Sequence, residues 1–176
     1  MWNFPSFLSR VRLASLALRP VHAVEGNAGK LRSWRYGEIE LSDGKLVAIY
    51  PRWWPRVGSQ WESYRDRYNR TLPADFCRAY YAFPRRAPGY MSVLYARSGP
   101  NTQYKTILRA VSVMDEIAVL NSSNAIVCQI ISERGTERLM KRWGYVRHAA
   151  SLGDNHYIKR LSMNSRTQCA VDRSTR

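Results

Sequence analysis

Residues 89–131 read GYMSVLYAR, SGPNTQ, YKTILRAVSVMDEIAVL, NSSN and AIVCQII in succession. The fold class turns on how these pieces alternate. GYMSVLYAR is rich in apolar and aromatic residues and reads as a strand. SGPNTQ has the composition of a loop. Tyr104, Ile107, Leu108, Val111, Met114 and Ala118 then recur at helical spacing, which predicts a helix of about four to five turns. Asn121 to Asn124 end it. AIVCQII is short and continuously apolar, the pattern of a central strand covered on both faces.

The pattern continues on the C-terminal side. Ser132 is placed to cap a further helix, with Glu133 in its first turn and Lys141 and Arg142 in its last, as the helix dipole prefers. Gly144 is the expected left-handed residue that ends it. Tyr145–Ala150 and His156–Leu161 are strand candidates around the turn-rich LGDN. Strands alternating with helices predict an α/β domain, a mixed central sheet flanked by helices.

Toward the N-terminus, Trp34–Leu41 and Lys45–Tyr50 read as two strands joined at Asp43-Gly44, a strong hairpin signal. The stretch PRWWPRVGSQWESYRDRYNRTLP (51–73) is basic and aromatic. Trp61, Tyr64, Arg65 and Tyr68 fall at helical spacing there, so a helix is expected before Pro73. Ala74–Phe83 fits helix or strand equally. Three units follow: a basic amphipathic segment over 1–24, the α/β domain over 25–161, and a disordered polar tail over 162–176. In the first, Phe4, Phe7, Leu8 and Val11 share a helical face. It reads as a loosely docked terminal helix, with a membrane-surface or targeting element as the alternative.

Composition narrows the partners. The chain has 28 Lys and Arg against 13 Asp and Glu, a net charge of +15. Such a field attracts polyanions: nucleic acid, acidic lipid or a phosphorylated cofactor. Cys77, Cys128 and Cys169 show no metal-ligand spacing. Their odd number and wide spread argue against a disulfide framework and for a reducing compartment, here the cytoplasm. The three histidines make no metal motif, so no metal is expected. No apolar run approaches the ~18 residues of a membrane span, and no Gly-x-Ser-x-Gly supports a hydrolase.

The element order over 89–161, with Trp143-Gly144-Tyr145 closing the last helix, resembles the GNAT superfamily of N-acetyltransferases. That family runs a helix through Ala-x-x-Leu-Tyr-x-Lys into Leu-Gly-Phe. Thr136 stands at the Ala place, Leu139 at the Leu, Arg142 at the Lys, and Trp143-Gly144-Tyr145 replace Leu-Gly-Phe. The resemblance implies acetyl-CoA or another acyl-CoA as cosubstrate and a small-molecule or peptide amine as acceptor. It places the cofactor at the strand–loop–helix unit: Leu94, Tyr95, Ala96, Arg97, Gly99, Asn101, Thr102, Gln103 and Lys105. A backbone N–H within Met91–Ala96 would polarise the thioester, and N–H groups of the loop would hold the pyrophosphate at a helix N-terminus.

Two departures from the family stand out. Where members carry Gln/Arg-x-x-Gly-x-Gly/Ala, this chain has Arg97-Ser98-Gly99-Pro100-Asn101-Thr102, with one glycine and a proline that has no N–H. Where many carry a Tyr that protonates the leaving thiolate, Met140 stands, which donates no proton. Tyr145 and His148 lie near in sequence.

Acetyl transfer also needs a proton acceptor, and a carboxylate acting through water serves. Glu38 and Glu40 alternate on one face of a candidate strand and are the acids best placed to enter a cleft. Glu62 and Asp66 sit at i, i+4. Charge pairing with neighbouring arginines is the competing expectation for all four. The tryptophans of RWWPRVGSQW read as a cleft wall, although aromatics interleaved with arginines also stack bases and pair phosphates. A second function class follows: a catalytically inactive version of the fold that binds nucleic acid or another polyanion.

Overall fold

The Asp43-Gly44 turn forms as its sequence demands. The computed structural model describes residues 19–54, 74–129, 137–148 and 155–161. Within it Asp43 and Gly44 both take positive φ, 52° and 76°, the mirror-image turn whose twist matches a hairpin. They join β1 (Tyr36–Ser42) to β2 (Lys45–Arg52). β3 is Phe76–Ala82 and β4 is Tyr90–Ser98. β5 (Ala125–Gln129), β6 (Val146–Arg147) and β7 (His156–Arg160) complete one seven-stranded sheet. Among the described residues three helices accompany it: α1 (Ala28–Ser33), α2 (Tyr104–Leu120) and α3 (Glu137–Arg142). The protein is a single mixed α/β domain.

Across the sheet the order is β2-β1-β3-β4-β5-β7-β6. Every neighbouring pair is antiparallel except β4 and β5, which run parallel with α2 between them in sequence. Ala74–Phe83, which periodicity leaves open, is strand: it lies between β1 and β4 and is bonded on both sides. Outside the named strands, Val21 bridges Ile49 on the outer edge of β2, exchanging N–H···O bonds of 3.0 and 2.7 Å. His22 Nδ1 donates to the Val47 carbonyl beside it at 2.7 Å. At the opposite edge, β6 is two residues long among the described residues.

One face of the sheet packs on α2. Ile39, Ile49, Ala79, Tyr81, Met91, Ile126 and Tyr157 meet Ala110, Val113, Met114 and Ile117 in a continuous core. Val21 and Val24 belong to the same core. The helix buries Val111, Met114 and Ala118 of the stripe that the apolar spacing suggests. Tyr104 and Leu108 are exposed, and the stripe centres on Thr106, Ala110, Val113 and Ile117. Thr106, in the first turn, is buried with its hydroxyl fully bonded (below).

Gly144 sits at φ 82° and closes α3 in a Schellman arrangement. Its N–H reaches the Lys141 carbonyl at 3.0 Å, and Tyr145 N–H reaches Met140 at 2.9 Å. Met140 and Tyr145, which the motif brings together, are both in the core. The strand expected over 145–150 starts at Val146, because Tyr145 is spent on this motif; residues 149–150 lie outside the described set. Gly144→Ala places a side chain at positive φ, where Lys159 Cε is 3.3 Å away and can yield. The expected cost is about 1 kcal/mol, read as a melting shift of roughly 2–4 °C.

Several expectations lie outside the described residues. These are the amphipathic face at Phe4–Val11, the helix at Trp61–Tyr68 with Glu62 and Asp66, the Ser132 cap, most of LGDN and the tail after Leu161.

Candidate functional site

β4 is where the sheet changes character. Its ladder to β3 pairs Val93 with Tyr81 but Tyr95 with Tyr80, so Leu94 is an extra residue, a β-bulge. Its parallel ladder to β5 runs only from Tyr90↔Ala125 to Val93↔Cys128. Beyond Val93 the strand continues to Ser98 bonded to β3. Leu94–Ala96 therefore have one edge unpaired among the described residues, on the side toward β5. In open α/β sheets ligands bind beyond the C-terminal ends of the strands, and the continuation of β5 after Gln129 lies outside the described residues. Leu94, Tyr95, Ala96 and Arg97 all lie along this stretch of β4.

The loop that follows is tied down by its own protein. Gly99 N–H donates to the Phe76 carbonyl at 3.1 Å, Thr102 N–H to Gly99 at 3.3 Å, and Thr102 Oγ1 to Phe76 at 2.7 Å. Gln103 N–H donates to Asp75 Oδ1 at 3.2 Å. The buried Asp75 is a hub that sequence reasoning missed. Its Oδ2 accepts from Thr106 Oγ1 at 2.9 Å, and that hydroxyl accepts from Gly44 N–H at 2.8 Å. Its carbonyl takes Ser42 Oγ at 3.0 Å and Asp43 N–H at 3.3 Å. One carboxylate thus caps α2 and joins it to the β1–β2 turn, which favours that end of the helix dipole. Asn101, Gln103 and Lys105 are exposed beside it. The Lys105 methylenes lie over Gly44: a Cβ there would be 3.2 Å from Lys105 Cγ and Cδ.

Glu38 and Glu40 share the sheet face away from α2. Glu38, 3% exposed, is paired with Arg52, accepts from Tyr80 Oη at 2.9 Å and lies 3.9 Å from Arg78 Nε. Glu40 takes Arg78 through two nitrogens at 2.7 and 3.2 Å. Both carboxylates are therefore in arginine pairs, the competing expectation for these acids. Tyr50 on β2 is registered with Glu38 on β1. Burial, then the charge and hydrogen bond of Glu40, raise its hydroxyl above the ordinary tyrosine value. Tyr80 and Tyr95 pack across β3 and β4 with ring centres 6.0 Å apart. The network thus runs from the β2 edge to the bulged part of β4. Alternation marked the two acids, but nothing in the sequence pairs them with Arg52, Arg78 and Tyr80.

Tyr145 is in the core with Lys159 Nζ 5.7 Å from its ring centre. Burial raises its hydroxyl well above the usual range, and the nearby Cys128 and Asp115 add to this. Met140 is buried among core side chains, a gap-filler. Burial pushes the Cys77 and Cys128 thiols up to about 11 and about 12, so neither is an activated nucleophile. Among the described residues no group of three or more His, Cys, Asp or Glu is placed to hold a metal ion, and no helix is long and apolar enough to cross a membrane. A surface depression of about 590 Å³ lies against α3, lined by Glu137, Arg138, Lys141 and Arg142; it holds none of the residues above. Trp53 and Trp54 are 64% and 74% exposed, where a cleft wall was expected. Compared with protein-family models and with curated proteins, the chain matches none.

Proposed function

We propose that the protein is an acyl-CoA-dependent N-acyltransferase of the GNAT kind, moving an acetyl group from acetyl-CoA to an amine. The observation that supports this reading is the bulged stretch Leu94–Ala96 of β4, unpaired on one edge among the described residues, beside a parallel partner and with α2 following it in sequence. A thioester carbonyl laid along that edge would accept from one of these backbone N–H groups, a preorganised donor at the point where negative charge develops. The residues suit the thioester end of the cofactor better than its diphosphate end. There the Gly99, Thr102 and Gln103 N–H groups are already used. Asn101, Tyr104 and Lys105 N–H, with the Lys105 side chain, would hold the phosphates.

Glu40 is the better placed proton acceptor, through water. Its side chain is 21% exposed against 4% for Glu38. With Met140 and Tyr145 inside the core, the proton returned to the leaving thiolate would come from solvent.

The occupied loop favours a second reading, an inactive fold that holds polyanions through surface charge. Calorimetry with acetyl-CoA, and with ATP as a polyanion control, separates the two. A working site prefers acetyl-CoA and keeps part of its affinity at high salt, through pantetheine contacts. Equal binding of both ligands that collapses with salt, or no binding, removes the acyltransferase reading.

A further inference from the structure

Four strand ends gather on one side of the sheet. Tyr36, which opens β1, is registered with Arg52 at the end of β2 and with Ala82 at the end of β3. Ala82 is in turn paired with Ser92 near the start of β4. The residues that leave these ends are basic and aromatic. Trp53 and Trp54 follow β2, and Arg85 and Arg86, both exposed, follow β3. Arg35 precedes β1, with its guanidinium 5.0 Å from the Tyr36 ring centre and its Nε donating to the Phe83 carbonyl at 3.2 Å. The antiparallel bridge Val21↔Ile49 carries the exposed Arg19 toward the same end of β2. Carboxylates of these strands lie elsewhere. Glu38 is buried in its arginine pair, while Asp43 and Asp75 stand at the far end with the N-terminus of α2.

We infer that this end of the sheet is a binding surface for single-stranded nucleic acid, with Trp53 and Trp54 stacking bases and Arg19, Arg35, Arg85 and Arg86 pairing phosphates. Indoles left this open forfeit the burial that usually holds a Trp, and flat rings in a basic setting match the faces of nucleobases. Arginine forks match phosphate oxygens, and the net charge of +15 supplies the long-range attraction. A lipid surface would favour a broader apolar face, but the aliphatic residues here, Val21, Ile39 and Ile49, are buried. The surface is at the opposite end of the sheet from the β4–α2 loop, so it stands whether or not acetyl-CoA binds.

The test uses the full chain and labelled oligo-dT and oligo-U of about twelve nucleotides, within the usual site size. Binding is followed by anisotropy and by tryptophan emission. Polyphosphate supplies charge without rings, and phosphatidylserine vesicles supply a membrane. The expected result is oligonucleotide binding that quenches emission. W53A/W54A should weaken it roughly tenfold or more with little change in salt slope. R85A/R86A should make the log K against log salt slope shallower by about 1.4. All four side chains are on the surface, so unchanged melting certifies the folded state of both variants. The inference is overturned by absent binding, by vesicle binding alone, or by polyphosphate competing as well as oligonucleotide while W53A/W54A binds normally.

Discussion

Glu38→Ala is expected to destabilise the protein by about 1–3 kcal/mol, the cost of taking a shared acceptor from polar groups at the edge of the core. The carboxylate is 3% exposed and holds Arg52, with Tyr80 Oη at 2.9 Å and Arg78 at 3.9 Å. Removing it takes one acceptor from the Arg52 guanidinium and one from the Tyr80 phenol. Glu38→Gln keeps an oxygen for Tyr80 and should cost less. Replacing the pair together, as E38A/R52M, should recover part of the loss, because an apolar side chain at position 52 has no use for the lost acceptor. Urea unfolding of the single and double variants gives the coupling energy directly. A Glu38→Ala protein as stable as the parent would remove the network from any account of the fold.

Gly37→Ala is the second large effect. A Cβ at Gly37 would lie 2.4 Å from Tyr81 Oη, 2.5 Å from Cζ and 2.6 Å from Cε1. The ring cannot swing aside, since Tyr81 is fully buried and packs edge-on to Phe83 at 5.7 Å. Overpacking of this kind costs about 1–3 kcal/mol, and contact with a rigid ring puts the expected value at the upper end. Pairing the change with Tyr81→Leu should return part of it. Tyr81→Phe alone should be neutral or slightly stabilising. The Tyr81 hydroxyl has no hydrogen-bond partner among the described residues, and losing an unsatisfied buried group removes a desolvation penalty. Melting temperatures of the four proteins decide the matter.

These two sites show what the sequence conveys and what it withholds. Asp43-Gly44, the β4–α2–β5 alternation and Gly144 were legible because each depends on local chemistry: a turn that needs positive φ, a period, a helix stop. Gly37 carries no such mark. Its reason is Tyr81, a residue from another strand, set opposite it by the β1–β3 register. Thr106 is silent in the sequence for the same cause. Its hydroxyl is satisfied inside the protein only once the fold brings Asp75 and Gly44 to it. At the candidate site, alternation identified Glu38 and Glu40, but their arginine partners come from β2 and β3. The bulge at Leu94 is invisible in sequence, because it exists only as a mismatch between two strands.

The borders of the sheet carry a further consequence. A β-strand with free N–H and C=O groups invites another chain to pair with it. On β2 the Ile49 groups are already taken by Val21, and His22 covers the Val47 carbonyl. Pro51 offers no donor on that strand at all. The β2 border therefore resists growing sideways into aggregates, and the short run of residues 21–22 guards it. Cutting the chain after His22 would open Ile49 to a neighbouring molecule, so a protein trimmed there should self-associate at concentrations the intact one tolerates.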